Sequence, residues 1–151
     1  MAEPLIISEQ TEYDPEAGRY DELYATLKLH EDWNHDPARL QAMIDDPEVR
    51  FMLGKAGGLT VAMATIIAPI PTGTKTLGLV EDVAVLPEAQ GNGYGKAMMH
   101  HIQGVAEGLG VDTIQLTSNP DSRPEANRMY RDLGYRYHNT NVFVMDLGEQ
   151  G

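Results

Sequence analysis

A mixed α/β sheet protein is predicted by three observations on this 151-residue chain. Two helical patterns come first, followed by apolar runs separated by turn residues. The second half then reads strand, helix, strand, helix, strand. Between the halves, a β-branched and aliphatic run ending at Val85 passes through the turn Gly91-Asn92-Gly93-Tyr94-Gly95 directly into an amphipathic helix. The length suits a single domain over residues 1–151, able to bury a core without staples.

Taken in order, Leu5 to Ile7 is a candidate first strand, and Tyr20, Leu23, Tyr24 and Leu27 recur at helical spacing within a helix over 20–29. Asp36-Pro37 reads as an N-cap with proline at the first helical position, opening a helix through Leu40, Met43 and Ile44 that stops before Pro47. Val49 to Gly54 and Leu59 to Ile70 are strands joined by Gly57-Gly58, and Ile70-Pro71-Thr72-Gly73 turns the chain into a strand from Leu77 to Val85. That strand is apolar on both alternating faces, as expected of a strand covered on both sides. Met98, Ile102, Val105 and Leu109 place one stripe on the helix that follows, which ends near Gly110. Val111 to Thr117 alternates as a strand. Ser122 and Glu125 have capping-box spacing for a helix through Asn127, Met129, Tyr130 and Leu133, ending at Gly134, and Asn141 to Leu147 is expected as the last strand.

Composition narrows the function. With no cysteine there is no disulfide framework, thiolate metal site or cysteine nucleophile. His30 and His35 are five apart rather than the four that align two ligands on one helix face, so no metal site is read. No apolar run approaches the roughly 20 residues of a membrane span, and the start lacks a basic region followed by an apolar one, so a cytoplasmic location is the default. The formal charge of −12 argues against nucleic acid as a partner. Residues 1–50 hold 13 Asp and Glu against 4 Lys and Arg, leaving the remainder with 10 against 7. The acidity is concentrated in the first third, which is either a solvated surface or an attractive mouth for a cationic substrate.

The glycine turn resolves by elimination. A dinucleotide fingerprint fails, because the sixth position is Lys96 counted from Gly91 and Met98 counted from Gly93. A P-loop fails too, with Gln90 in place of its first glycine and Ala97 in place of its hydroxyl residue. What remains, Gln90-Gly91-Asn92-Gly93-Tyr94-Gly95, has the pattern Gln/Arg-x-x-Gly-x-Gly/Ala. With Asn127, Tyr130 and Gly134-Tyr135 downstream, the stretch from about 77 to 147 resembles the GNAT family of acetyl-CoA-dependent N-acetyltransferases. The resemblance implies a mostly antiparallel central sheet flanked by helices and splayed between the two strands around the loop.

It further implies that acetyl-CoA lays its pyrophosphate on the loop from Gln90 and Gly91 through Asn92, Gly93, Tyr94 and Gly95 to Lys96. The pantetheine arm then pairs with the main chain of Val83, Ala84 and Val85, Asn127 assists, and Tyr130 protonates the leaving thiol. Glu81, on the same face as Val83 and Val85 if the alternation is regular, is the candidate general base for the amine, and Asp82 is a candidate for orienting the acceptor. Family members build the acceptor wall from the early helices, which makes Trp33 a candidate there. A homodimer is compatible with the resemblance, although no seam is legible.

The reading is therefore an N-acetyltransferase acting on a primary amine of a small cationic molecule or amino sugar by direct attack. Glu81 to Val85 is similar to the glucosamine-phosphate branch of the family, but only Lys75 lies nearby to meet a sugar phosphate. Acetylation of a protein terminus or lysine is the enzymatic alternative, and a non-catalytic acyl-CoA-binding module the alternative from another class.

Overall fold

The computed structural model describes residues 3–27 and 35–148, and they divide into two compact units, Met1–Thr117 and Ser118–Gly151. The first holds a five-stranded sheet of order β1-β2-β3-β4-β5, formed by Ile6–Glu9, Val49–Ala56, Leu59–Pro71, Thr76–Val85 and Thr113–Gln115. The first three pairings are antiparallel and the last, β4 with β5, is parallel. Helices α1 (Tyr20–Thr26), α2 (Pro37–Asp45) and α3 (Tyr94–Gly108) complete this unit, and α4 (Pro124–Asp132) lies in the second.

The helices form where their local signals lie. Asp36 caps α2 by accepting from the Ala38 N–H at 3.0 Å and the Arg39 N–H at 3.4 Å, with Pro37 in the first turn. Gly110, at φ 73°, ends α3 where the Val111 N–H returns to the Ala106 carbonyl at 3.0 Å. Gly57 and Gly58, at φ 58° and 81°, make the β2–β3 hairpin turn, a conformation in which both central residues need positive φ. Helix α1 begins at Tyr20 as expected, and the remainder of the predicted stretch, beyond Leu27, lies outside the described residues.

Alternation along the strands sorts two cores. Phe51, Leu53, Met63, Ala84 and Leu86 join Tyr20, Leu23, Tyr24 and Leu40 of α1 and α2. On the opposite face Ala62, Ala64 and Ile66 of β3 and Val80 of β4 are buried where α3 presents Met98, Met99, Ile102 and Ala106. The apolar stripe predicted for α3 is buried at Met98 and Ile102, with Ala106 filling the turn beside Val105.

Three expectations give way. Strand β5 covers only Thr113–Gln115, because its register with β4 ends at Leu79↔Gln115 while β4 continues to Val85. This is the splay. At α4 the capping box does not form. Arg123 is the cap residue, Pro124 occupies the first turn, and Asn119 Oδ1 accepts the N–H groups of Asp121 at 2.9 Å and Ser122 at 3.1 Å. Proline stiffness at the helix start and an Asx turn before it displace the Ser122 solution. Residues 141–147 are not a strand: no ladder forms, and Phe143 is 90 % exposed. The composition has β-propensity, but a strand exists only as one side of a ladder.

Replacing Asp36 with alanine is expected to lower unfolding stability by about 1 kcal/mol, with Asp36→Ser retaining most of it, measured by urea denaturation.

Candidate active site

Strand β4 carries the first part of the site, and its geometry turns on one extra residue. Ala84 pairs with Met63 and Glu81 with Thr65, so Asp82 and Val83 on β4 stand against Ala64 alone on β3. This is a β-bulge, with Asp82 at φ 56°, a left-handed conformation that aspartate tolerates better than most residues. The bulge reverses the side-chain alternation. Glu81 shares the α1/α2 face with its partner Thr65 and with Ala84, whereas Val85, paired with Ala62, lies on the α3 face. Regular alternation would have grouped Glu81 with Val83 and Val85, and the inserted residue prevents it.

Both carboxyls are perturbed. Burial raises the Glu81 carboxyl above the ordinary range, and the charge of Asp82 adds to it. Burial alone raises Asp82. Neither makes a side-chain hydrogen bond or ion pair among the described residues, so no counter-charge offsets the cost. Tyr24, buried on α1, is raised by burial first and then by the Asp82 charge. Negative charge therefore gathers at the bulge.

Past Val85, a turn of 3₁₀ helix at Pro87–Ala89 leads into the glycine loop. Arg19, at the head of α1, donates to Glu22 at 2.6 Å and to Glu88, which ties that turn to the helix. Gln90 Nε2 donates to the Val85 carbonyl at 3.0 Å, and Asn92 Nδ2 to the Ala89 carbonyl at 2.9 Å. Tyr94 is buried, with its hydroxyl donating to the Glu3 carbonyl at 2.6 Å. These side chains brace the loop and leave its main chain free.

Gly91 and Gly93 take φ of 84° and 81°, and a Cβ at either would meet nothing within 4 Å. The first N–H bonded back into α3 is that of Ala97, to the Gly93 carbonyl at 3.0 Å. The N–H groups from Gly91 to Lys96 are therefore available at the positive end of a 15-residue helix, with Lys96 exposed beside them and Gly95 in the first turn. Such an arrangement receives phosphate.

In the second unit, Asn127 is committed to its own loop. Its Nδ2 lies 2.8 Å from Ser118 Oγ, 3.1 Å from the Asn119 carbonyl and 2.8 Å from the Arg123 carbonyl. Tyr130 is half-buried, with its ring edge-on to Tyr135 at 5.7 Å. Burial, reinforced by Tyr135 and opposed by Arg123, pushes its phenol up to about 12, so it is protonated at neutral pH. Gly134, at φ 100°, ends α4 while the Tyr135 N–H returns to the Tyr130 carbonyl at 2.9 Å.

Trp33 lies outside the described residues, as does His30. His35 is not a bare surface histidine. Its Nδ1 lies 2.8 Å from Asp21 Oδ1 and its Nε2 2.8 Å from the Tyr13 hydroxyl, joining α1 to the start of α2. No spacing rule exposes that triad, because its members are separated in sequence and meet only in the fold. No cluster of three or more His, Asp and Glu suited to a metal occurs among the described residues, and no helix among them is long and apolar enough to cross a membrane.

An open, mostly antiparallel sheet with one splayed parallel pair, a bulged β4 and a glycine loop at the head of α3 is the class of α/β architecture that the glycine pattern implied. A profile of the acetyltransferase (GNAT) family matches residues 10–135, and the chain belongs to that family. It is 30 % identical over 124 residues to the mycothiol acetyltransferase of Pseudarthrobacter chlorophenolicus, a match that takes in 82 % of this chain and 35 % of that protein. The chain thus spans about a third of the length of that relative. Among solved structures, an acetyltransferase of Trypanosoma brucei superposes with a TM-score of 0.71 at 24 % identity, covering 95 % of this chain and 100 % of that one. An aminoglycoside acetyltransferase from an uncultured soil sample, bound to sisomicin, gives 0.78 at 16 % identity over 95 % and 97 % of the two chains.

Because a half-buried carboxylate with a raised pKa opposes folding once it ionises, Asp82→Asn, which also tolerates left-handed φ, is expected to raise the melting temperature at pH 7. The sign follows from the direction of the shift: the penalty is absent while Asp82 is protonated and grows as pH rises through its folded-state pKa. The difference between the two proteins should therefore close below about pH 4 in a thermal melt series.

Proposed function

We propose that the chain transfers acetyl from acetyl-CoA to the primary amine of a small molecule, a cationic amine or an amino sugar, by direct attack on the thioester. The observation that carries this reading is the bulge itself, which sets Glu81, on the α1/α2 face, next to Asp82, two carboxyls with raised pKa and no ion-pair partner among the described residues. A cationic amine supplies the missing charge, and the acidic first third of the chain attracts it.

On this reading the free N–H groups from Gly91 to Lys96 hold the pyrophosphate, assisted by the Lys96 ammonium. The pantetheine amides pair with main-chain groups between Val83 and Val85, in the stretch of β4 that β5 has ceased to pair. Gln90, Asn92 and Tyr94 contribute by fixing the loop, and Asn127 by fixing the turn before α4. Asp82 orients the incoming ammonium. Glu81 takes one proton from that ammonium, and the freed amine nitrogen bonds to the carbonyl carbon while an N–H near Val83 stabilises the oxyanion. The second nitrogen proton, lost as the amide forms, passes to solvent, from which the phenol that protonates the sulfur is restored. Collapse breaks the C–S bond, and Tyr130, with its protonated phenol, is the proton source for the departing sulfur. The chain has no cysteine to form an acyl-enzyme through sulfur, consistent with a single direct transfer.

Incubation with acetyl-CoA and a panel of polyamines, amino sugars, aminoglycosides and short peptides, followed by thiol release, tests the reading. Release with small amines is expected. Tight CoA binding without release for any amine would sink it, and release for peptides alone would move the acceptor to proteins. Glu81→Gln is expected to lower kcat by about 10²–10⁴-fold. Because the base is lost as pH falls through a raised carboxyl pKa, the acid limb of kcat/KM should lie above the ordinary glutamate value of about 4.3 and vanish in that variant. Tyr130→Phe should lower kcat with little change in the KM for acetyl-CoA, and an unaltered kcat would remove Tyr130 from the mechanism.

A further inference from the structure

Two threonines of β3 are buried, and they are treated differently. Thr60 donates its hydroxyl to the Ala17 carbonyl at 2.5 Å. Thr65, 2 % exposed, leaves its Oγ1 without a hydrogen-bond partner, and among the described residues the only other buried side-chain polar atom in that state is Arg50 Nε. The Arg50 guanidinium is already paired with Glu9 through Nη1, so its orphan is one donor of several. The Thr65 hydroxyl is that side chain's entire polar capacity. Valine has the same shape and equal β-propensity and would fill the place without burying a donor. The hydroxyl therefore costs stability in the ligand-free protein and returns nothing there.

What lies opposite it suggests its use. Thr65 is the direct cross-strand partner of Glu81, on the same face, and side chains so placed are about 4.5–5.5 Å apart at Cβ. Glu81 itself is exposed and has no partner to fix its direction, although a general base must be held within hydrogen-bond reach of the proton that it takes. Phe51, which pairs with Thr65 on β2, and Met63, two residues before it on the same face, carry no donor. Among the described residues, the titratable group that acts on Glu81 is Asp82 at the bulge, whose charge also reaches Tyr24 on α1.

We infer that Thr65 is a positioning residue: when the acceptor is bound, its hydroxyl donates to the Glu81 carboxylate across the β3–β4 ladder and aims it at the amine. This rests on the reading of Glu81 as the general base. The hydroxyl that is idle in the free protein is used in the complex, and the direct Glu81↔Thr65 pairing just before the bulge is what allows it. A donor to a carboxylate favours the ionised form, so its loss moves the base's titration upward.

The test compares wild type, Thr65→Val, Thr65→Ser and Thr65→Ala in thermal melts and in the pH dependence of kcat with the best amine, since kcat reports the titration of the complex in which the hydroxyl is engaged. Thr65→Val should melt at or above the wild-type temperature yet turn over about tenfold more slowly, the size of one hydrogen bond to a charged group. Its acid limb should move to higher pH while the KM for acetyl-CoA is unchanged. Thr65→Ser should restore both rate and limb, and Thr65→Val should cause no further loss in a Glu81→Gln background. Should the valine variant fail to fold, Thr65→Ala is read in the same way against Thr65→Ser. A wild-type profile in Thr65→Val, or an equal loss with and without Glu81, overturns the inference while leaving the acetyltransferase reading intact. Absence of turnover in the wild type with every amine removes both.

Discussion

The extra residue at Asp82 is the constraint on which the first unit depends. A strand has a side-chain period of two, so a single insertion transfers everything beyond it to the other face. Before the bulge, Val80 packs on the α3 side with Ile66. Beyond it, Ala84 and Leu86 point into the core made by α1 and α2. Removing the insertion would turn Ala84 and Leu86 away from Leu23, Phe51 and Met63, so the bulge is built into the packing of both helices. Glu81, the last residue in register before the kink, stands beside Thr65, and the two adjacent carboxyls have no ion-pair partner among the described residues. Packing beyond the bulge thus maintains the unfavourable electrostatics beside it, which the two unpaired carboxyls by themselves would not.

The glycine loop shows a related division of labour. Its pattern residues Gln90 and Asn92 look like ligand donors in a string of letters, yet each spends its amide on a neighbouring carbonyl. Tyr94 likewise anchors the head of α3 to Glu3. With those three fixing the path of the chain, what the loop leaves available is its main-chain N–H groups, which any sequence possesses but only this conformation aligns. Asn127 follows the same logic in the second unit, where one amide nitrogen serves the turn that delivers α4.

How much was legible depended on the range of the interaction. The capping of α2 by Asp36, the Gly57-Gly58 hairpin and the stops at Gly110 and Gly134 are decided within a few residues, and each formed where its signal lies. The family pattern from Gln90 to Gly95 was legible for the same reason, being a local backbone solution written in glycines. Ser122 and Glu125 show the boundary of such reasoning, since Pro124 between them offered a competing start that spacing alone did not weigh. The stretch 141–147 shows another: its side chains suit a strand, but no local property supplies the partner that a ladder requires.

From the sequence alone came the order of the elements, the acidic first third, the absence of cysteine and the glycine loop with Glu81 and Asp82 just upstream, because these are local or compositional properties. The tertiary structure decided the rest. It chose the face onto which Glu81 turns, left the Thr65 hydroxyl idle opposite it, joined Tyr13, His35 and Asp21, and ended the β4–β5 pairing at Leu79. Each of these depends on cross-strand register or on residues far apart in the chain, and register is settled only when whole faces are buried together.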